Sequence, residues 1–177
     1  MNISTVKNMI LTPAVPIDND ISTVKLDYVN DVDFPTDFRL FIESYGSGRL
    51  FDFLVVFNPG SSDENLNFYK QLQYIDEDFI YLKQDAPDLY EFTISISSGG
   101  VVPFGVTDNG DYIFWLINDI GCPDEWTIAI LPCREQELEY LNLSFSDFIY
   151  MISDNRLSPK SFPKLDVSNR NRFDPMA

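Results

Sequence analysis

Alternation of apolar and polar positions marks the middle of the chain as a run of β-strands. Over residues 89–97, aromatic and aliphatic side chains alternate with polar ones, which predicts a strand with one buried face. Pro103 cannot donate a hydrogen bond to a neighbouring strand, so we expect a bulge at that position. The hydrophobic pattern predicts strands over 49–57, 89–97, 101–107, 112–118, 125–131 and, as a short strand, 137–142.

Apolar residues spaced three and four positions apart predict helices on both sides of these strands. Thr36 is a candidate N-cap for a helix that stops before Gly46, and the capping box from Ser61 to Glu64 predicts the start of another helix. Residues 1–19, broken by two prolines, are predicted to be irregular. The helices are predicted over 21–29, 36–45, 61–76 and 145–153, with a less regular helical piece over 78–82.

The order of these elements, helices followed by consecutive strands and a final helix, predicts an α+β fold. We expect an antiparallel meander sheet with helices packed mainly on one side. Asp108-Asn109-Gly110-Asp111 is predicted to be a hairpin turn, because Asn-Gly tolerates positive φ at both central positions. Since neither an internal repeat nor a linker is visible, residues 1–155 are predicted to form a single domain, and 156–177 a basic C-terminal tail.

The chain is strongly acidic, and this charge disfavours several classes of partner. It has 28 acidic and 12 basic residues among 177, a net charge of −16. Since the tail carries five basic and two acidic residues, residues 1–155 alone carry −19. Such a field repels nucleic acids and anionic membranes, so neither is expected as a partner, and it attracts cationic proteins. The alternative interpretation is that the acidity serves only solubility.

Side chains suited to catalysis near neutral pH are scarce. The chain has no histidine, which removes the commonest general base and metal ligand. Paired carboxylates could hydrolyse glycosides, but with 28 acidic residues some pair always lies at a suitable distance, so the pattern is uninformative. We therefore predict no metal, no cofactor and no catalytic residue. Cys122 and Cys133 are predicted to be buried free thiols, and the first residues lack a signal peptide's apolar run, so we expect a soluble cytoplasmic protein.

Carboxylates concentrate in parts of the chain that are candidate contacts for a basic partner. Residues 84–133 contain no Lys or Arg and hold eight carboxylates, and three glutamates over 135–139 form a weaker cluster. The alternative is a solvated surface or, for Asp108 and Asp111, a metal site or caps of their own turn. Trp126 lies beside two acidic residues and could be an exposed anchor, although core packing is the default for tryptophan. The candidate partner-binding residues are Asp76, Glu77, Asp78, Asp85, Asp88, Glu91, Asp108, Asp111, Asp124, Glu125 and Trp126.

Three blocks of sequence, in order, resemble the SUKH superfamily, which includes the Smi/Knr cell-wall assembly regulators and many bacterial immunity proteins. Residues 34–48, FPTDFRLFIESYGSG, resemble its Pro-Asp-Phe helix and the Gly-Gly element that ends it. Residues 102–112 carry the Pro-Phe-Gly and Gly-Asp-Tyr of its hairpin, and residues 145–149, FSDFI, resemble its closing helix. The resemblance covers roughly residues 21–153.

The resemblance implies a single α+β domain that binds proteins and has no catalytic residues. Bacterial members are commonly immunity proteins that neutralise polymorphic toxins, many of which are basic nucleases. We therefore expect a basic partner protein, a cognate toxin, bound by an acidic monomer or weak homodimer. A regulatory or adaptor module of the same fold is the alternative, and an enzyme is the least favoured interpretation.

Overall fold

Seven antiparallel strands form one sheet in a computed structural model of the chain, which describes residues 3–166 and 172–177. The strands are β1 (Gly48–Leu50), β2 (Leu54–Val56), β3 (Val101–Thr107), β4 (Tyr112–Leu116), β5 (Thr127–Leu131), β6 (Glu139–Leu141) and β7 (Phe173–Pro175). Their order in the sheet is β6-β5-β4-β3-β2-β1-β7. The first six strands thus lie side by side in chain order, which is the predicted meander.

Four helices and one 3-10 turn accompany the sheet within the described residues. They are α1 (Ile3–Met9), α2 (Thr36–Tyr45), α3 (Phe68–Asp85), η1 (Pro123–Glu125) and α4 (Phe145–Ser153). The bounds of α2 and α4 are those predicted. Gly46 ends α2 with a φ of 72°, and a Cβ there would lie 2.1 Å from the carbonyl oxygen of Ile17. None of these helices combines the length and apolar character needed to cross a bilayer.

Aromatic rings fill the space between the sheet and helices α2 and α4. Trp115 on β4 is fully buried, and its ring centre lies 4.9 Å from that of Phe38 on α2 and 4.8 Å from that of Phe104 on β3. Phe145, the first residue of α4, packs against Phe38 and Phe104 at 5.4 Å each. Burial of each such side chain stabilises the fold by about 1.5–3 kcal/mol, so this cluster anchors both helices to the sheet.

The opposite face of β4 is covered by α3 and the chain that follows it. Side chains alternate along a strand, so Phe114 points away from the side that Trp115 occupies. Phe92 covers Phe114 at 5.8 Å between ring centres, and Phe79 of α3 contacts Phe92 at 5.2 Å. Phe79 also lies 6.1 Å from the ring of Tyr112. These contacts hold residues 86–92 against the sheet.

The strand predicted over 49–57 is interrupted by a tight hairpin. Leu50 of β1 pairs with Leu54 of β2, and the chain reverses between them. Phe51 and Asp52 take positive φ values of 57° and 53°, which no strand residue adopts. The continuous apolar run therefore covers two short strands and their turn, and the prediction of a single strand is wrong.

The region from 89 to 112 confirms the predicted bulge and hairpin turn and corrects two other predictions. Residues 89–97 form no strand, only a bridge between Ile94 and Val101. The predicted bulge is present, because the pairing of β3 with β4 shifts register between Pro103 and Gly105. The hairpin turn is also present, but within it only Gly110 takes a positive φ, of 85°.

Two helix predictions also fail, because local hydrogen bonds favour other conformations. Residues 21–29 contain no helix; the backbone N–H groups of residues 26 and 27 both donate to the carbonyl of Val32 and make a tight turn. The capping box at Ser61 does not start α3. Asn67 does, since its side-chain oxygen accepts hydrogen bonds from Tyr69 N at 3.1 Å and Lys70 N at 3.2 Å. α3 then continues through residues 78–82.

Both ends of the chain differ from the predicted irregular start (1–19) and separate tail (156–177). The start forms α1, with Val6 fully buried. In the tail, Phe162 packs against Phe53 at 5.2 Å, and β7 pairs with β1 at the edge of the sheet. A Cβ on Gly48 would lie 2.4 Å from the ring of Phe173, so β1 admits β7 only because it begins with glycine. The tail residue Arg170 lies outside the described residues.

Candidate functional site

One predicted partner-binding residue, Asp111 at the hairpin turn, is 1% exposed. Its carboxylate accepts a hydrogen bond from Thr107 Oγ1 at 2.6 Å and another from Cys133 N at 3.0 Å. It therefore ties the turn between β3 and β4 to the end of β5. A partner cannot reach it, and the prediction that it binds one is wrong.

A second candidate, Asp124, caps the start of α2 from a distant part of the chain. It accepts hydrogen bonds from Thr36 N at 2.6 Å and Thr36 Oγ1 at 3.0 Å, while Pro35 and not Thr36 occupies the N-cap position. Asp37, in the first turn of α2, accepts in turn from Ser146 N at 2.7 Å at the start of α4. A carboxylate from another element thus stabilises the beginning of each helix.

The candidates around η1 and the turn have mixed outcomes. Trp126 is 2% exposed, and its Nε1 donates to the carbonyl oxygen of Asp119 at 2.6 Å, so it is a core residue and the exposed-anchor prediction is wrong. Glu125 beside it is exposed. Asp108 is exposed and forms an ion pair with Arg49 at 3.2 Å. Glu125 and Asp108 stay predictions as contact residues.

The remaining candidates lie on the second half of α3 and the loop after it. α3 buries Phe79 toward the sheet. Tyr74, Asp78, Tyr81 and Asp85 are all exposed and are spaced by four, three and four positions, which places them on one side of the helix. We call these four residues, together with Glu77, the outer face of α3.

The outer face combines carboxylates with large exposed side chains. Tyr81 is 66% exposed. Glu77 is exposed and accepts a hydrogen bond from Gln73 Nε2 at 2.9 Å, one helical turn earlier. Asp76 is half-buried and lies outside this face, beside exposed Ile80. Tyrosine is enriched at protein interfaces, whose rim is polar.

A groove lies between the loop after α3 and the loop that leads into β6. The rings of Tyr90 and Phe92 pack against Phe79 at 5.3 Å and 5.2 Å, and Asp88 and Glu91 of the same loop are exposed. The groove has a volume of about 340 Å³. We call it the acidic groove. Its lining includes Asp88, Leu89, Glu91, Glu137, Leu138 and Tyr140.

A larger groove of about 640 Å³ adjoins the acidic groove. The two share Glu137 and Leu138, so they form neighbouring parts of one depression. The larger part also contains Cys133, and we call it the cysteine groove. Lys160 from the tail lines it, held in place where its backbone N–H donates to Glu139 Oε2 at 3.2 Å.

Asp78 of α3 and Cys133 of the cysteine groove both influence the phenol of Tyr112. Burial raises the pKa of the Tyr112 phenol, and the negative charges of Asp78 and of the Cys133 thiolate raise it further. Asp78 on the outer face and Cys133 in the cysteine groove therefore act on one side chain at the start of β4.

Both cysteines are free, and both are exposed, so the prediction of buried thiols is wrong. The carboxylate of Asp119, with help from burial and from Glu125, raises the pKa of the Cys122 thiol. Cys122 is thus held in its less reactive, protonated form. Among the described residues, no group of three or more acidic or cysteine side chains could hold a metal ion.

The groove residues were only partly visible in the sequence. The sequence shows the glutamates over 135–139 as a weaker acidic cluster, but it gives no reason to assign Leu138 or Tyr140 to a site. Two loops far apart in sequence build the groove, and no local pattern predicts that they meet. The alternation of Glu137, Leu138, Glu139 and Tyr140 is the one available signal, since it predicts a strand end with one apolar side.

Comparison with known proteins identifies the family. The model of the SMI1-KNR4 cell-wall family SUKH_6 matches residues 24–149, more than two thirds of the chain. No curated protein and no solved structure matches. The matched range contains α2, α3 and strands β1 to β6, including both helix-capping carboxylates and the acidic groove. Such membership fits a non-catalytic immunity or interaction domain. The chain therefore belongs to the SMI1-KNR4 cell-wall family, within the SUKH superfamily.

Proposed function

We propose that this protein is a bacterial immunity protein that neutralises a basic, nuclease-type toxin by direct binding. The observation that carries the proposal is the outer face of α3 together with the acidic groove, where carboxylates and exposed tyrosines lie side by side. Toxins that cleave nucleic acids need basic surfaces to hold phosphates. An acidic surface competes for those same basic groups.

The charge of this surface supports rapid capture. Complementary fields steer two proteins together and raise the association rate, a property that an inhibitor of a lethal enzyme requires. The tyrosines then supply contact area that becomes dehydrated in the complex, since Tyr is enriched among the residues that dominate binding energy. Long-range charge and short-range aromatic contacts are thus available on the same helix.

The placement of Asp85 also supports a binding role. Asp85 is the last residue of α3, where the negative end of the helix dipole disfavours a carboxylate. The fold gains nothing from an anion at this position. An unfavourable charge on the outer face is accounted for if it contacts a partner, because function commonly costs stability at binding sites.

We place this encounter in the cytoplasm. Cys122 and Cys133 are exposed and unpaired, and free surface thiols persist in a reducing compartment. Nuclease toxins find their nucleic-acid substrates in that compartment.

The test is co-expression with the toxin encoded by the neighbouring gene, scored by growth and by a pull-down of the complex. The matched pair of variants is Glu77→Lys/Asp85→Lys on the outer face and Glu43→Lys/Glu64→Lys elsewhere, because both make the same change in net charge at exposed positions. Mixing of the purified proteins gives the association rate constant. It should fall about tenfold at low salt in Glu77→Lys/Asp85→Lys, and much less in Glu43→Lys/Glu64→Lys. Raising the salt concentration should reduce the difference in association rate between the two double variants.

Absence of both rescue and complex would refute the proposal. An equal loss in the two variants would show that net charge matters and the outer face does not. A stable complex without rescue of growth would favour a regulatory or adaptor module in place of an immunity protein.

A further inference from the structure

The acidic groove collects carboxylates around a cleft that is partly apolar. Asp88 and Glu91 come from the loop after α3, and Glu137 from the loop before β6. Leu89 and Leu138 contribute apolar walls. Tyr140, on β6, also lines the groove and is 62% exposed. Polar and apolar groups thus converge in one small cleft, as they do in sites that fix a ligand's orientation.

The charges within the groove favour a cation. All three charged side chains that line it are acidic. The nearby basic side chains do not line it. Lys83 of α3 donates to the carbonyl oxygen of Phe92, with its ammonium 5.7 Å from the centre of that ring, and Arg134 and Lys160 line the adjoining cysteine groove. Like charges around one cleft repel each other, and an entering cation relieves that repulsion.

The shape of the groove favours a cation on a long aliphatic stem. Lysine and arginine bury their methylene groups along apolar surface while the charged head reaches polar partners. Leu89 and Leu138 can contact such a stem, and the carboxylates its head. The exposed ring of Tyr140 adds a surface that attracts a guanidinium or ammonium group.

The position of β6 favours an extended backbone for the incoming chain. β6 is the last strand on its side of the sheet as far as the described residues show, so one of its edges has no neighbouring strand. Open edges pair with extended peptides, and alternate side chains of such a peptide enter pockets beside the strand. Tyr140 belongs both to this edge strand and to the groove.

We propose that the acidic groove receives an arginine or lysine side chain carried on an extended segment of the partner protein, which lies along β6. This inference rests on the proposed function in that the partner is a basic protein. The chemistry of the groove can nevertheless be tested on its own, with the full chain and a synthetic peptide.

The test is a titration of the labelled protein with the capped pentapeptide Gly-Thr-Arg-Thr-Gly at low salt, followed by amide NMR shifts. The control peptide has Gln in place of Arg. We expect the Arg peptide to change the amide shifts of residues 88–92 and 136–141, and the Gln peptide to leave them unchanged. In Glu91→Gln/Glu137→Gln the dissociation constant should rise by about tenfold, since two charge-assisted contacts are lost.

The matched control is Glu77→Gln/Asp85→Asn, which removes the same charge from the outer face of α3 and should leave peptide binding nearly unchanged. Equal shifts with the Gln peptide, or equal weakening in both double variants, would overturn the proposal. So would concentration-dependent shifts at these amides without peptide, because a second copy of the chain would then occupy the groove.

The outcome is separable from that of the proposed function. If the toxin is bound and neutralised while the peptide leaves residues 88–92 and 136–141 unchanged, the immunity role stands and the groove proposal fails. If the Arg peptide binds as expected while the toxin forms no complex, the groove proposal stands and its partner is a different basic protein.

Discussion

The carboxylates at the helix starts and the turn differ from those on α3 in the groups that donate hydrogen bonds to them. Asp37, Asp111 and Asp124 each accept a backbone N–H from a segment distant in the chain. On the outer face of α3, the hydrogen bond to Glu77 comes from Gln73, one turn away on the same helix. Residue type is the same in both regions. The difference teaches that backbone donors, and not acidity, decide which carboxylate holds the fold and which is available to a partner.

The largest effect should follow from removing Asp111. In Asp111→Ala the hydroxyl of Thr107 and the N–H of Cys133 lose a buried acceptor, so the free energy of unfolding should fall by about 2–3 kcal/mol. The measurement is chemical denaturation. Asp108→Ala in the same turn removes only an exposed ion pair and should cost about 1 kcal/mol or less. Equal losses in the two variants would break the comparison.

Asp124 and Glu125 provide the next test, since they are adjacent in sequence. Asp124→Ala removes the acceptor of Thr36 at the start of α2 and should lower the free energy of unfolding by about 1 kcal/mol. Glu125→Ala, at an exposed position, should change it by about 0.5 kcal/mol or less. Thermal unfolding of both variants beside the unaltered protein decides the matter, and the reverse ranking would contradict the role assigned to Asp124.

A smaller effect of opposite sign is expected at the end of α3. Asp85→Lys replaces an anion by a cation at the C-terminus of the helix, which should raise the free energy of unfolding by about 0.5 kcal/mol. The same variant should weaken partner binding. Denaturation and a binding titration on one sample measure both quantities. A loss of stability would show that Asp85 supports the fold after all.

The smallest effect concerns titration. Asp78→Asn removes a negative charge that raises the pKa of the Tyr112 phenol, so that pKa should fall while remaining above its ordinary value because burial persists. The phenol carbon of Tyr112, followed by NMR as pH increases, reports the change. Glu77→Gln serves as the control on the same helix and should leave the titration of Tyr112 unaltered.

Much of the fold could be predicted where the signal is local. The apolar spacing and terminal residues of α2 and α4 lie within ten positions of each other, and both helices were predicted with correct bounds. Pro103 predicts a bulge because it lacks an N–H. In contrast, the sequence does not reveal the turn at Phe51 and Asp52, since an aromatic residue such as Phe51 rarely takes positive φ. Apolar runs alone cannot separate one strand from two.

The candidate site was predicted only in part, for the same reason. The density of carboxylates from Asp76 to Glu91 predicts a contact surface, and α3 carries three of them, Glu77, Asp78 and Asp85, on one face. For Asp111 and Trp126 the alternatives already open in the sequence, a cap of the turn and a core residue, are the ones that the structure shows. Glu137 belongs to the acidic groove because the loop before β6 lies beside the loop after α3. Contacts between distant segments are what the sequence pattern does not contain.

The capping of α2 by Asp124 and of α4 by Asp37 has a consequence for how the molecule opens. The hydrogen bond from Thr36 to Asp124 joins residues 88 positions apart, and that from Ser146 to Asp37 joins residues 109 apart. These two hydrogen bonds form only when segments distant in the chain meet, whereas Ser144 caps α4 locally by accepting from Asp147 N at 3.2 Å. Amide protons in the first turns of the two helices should then exchange with solvent together, in one cooperative opening. The two hydrogen bonds should therefore break together when these remote segments separate.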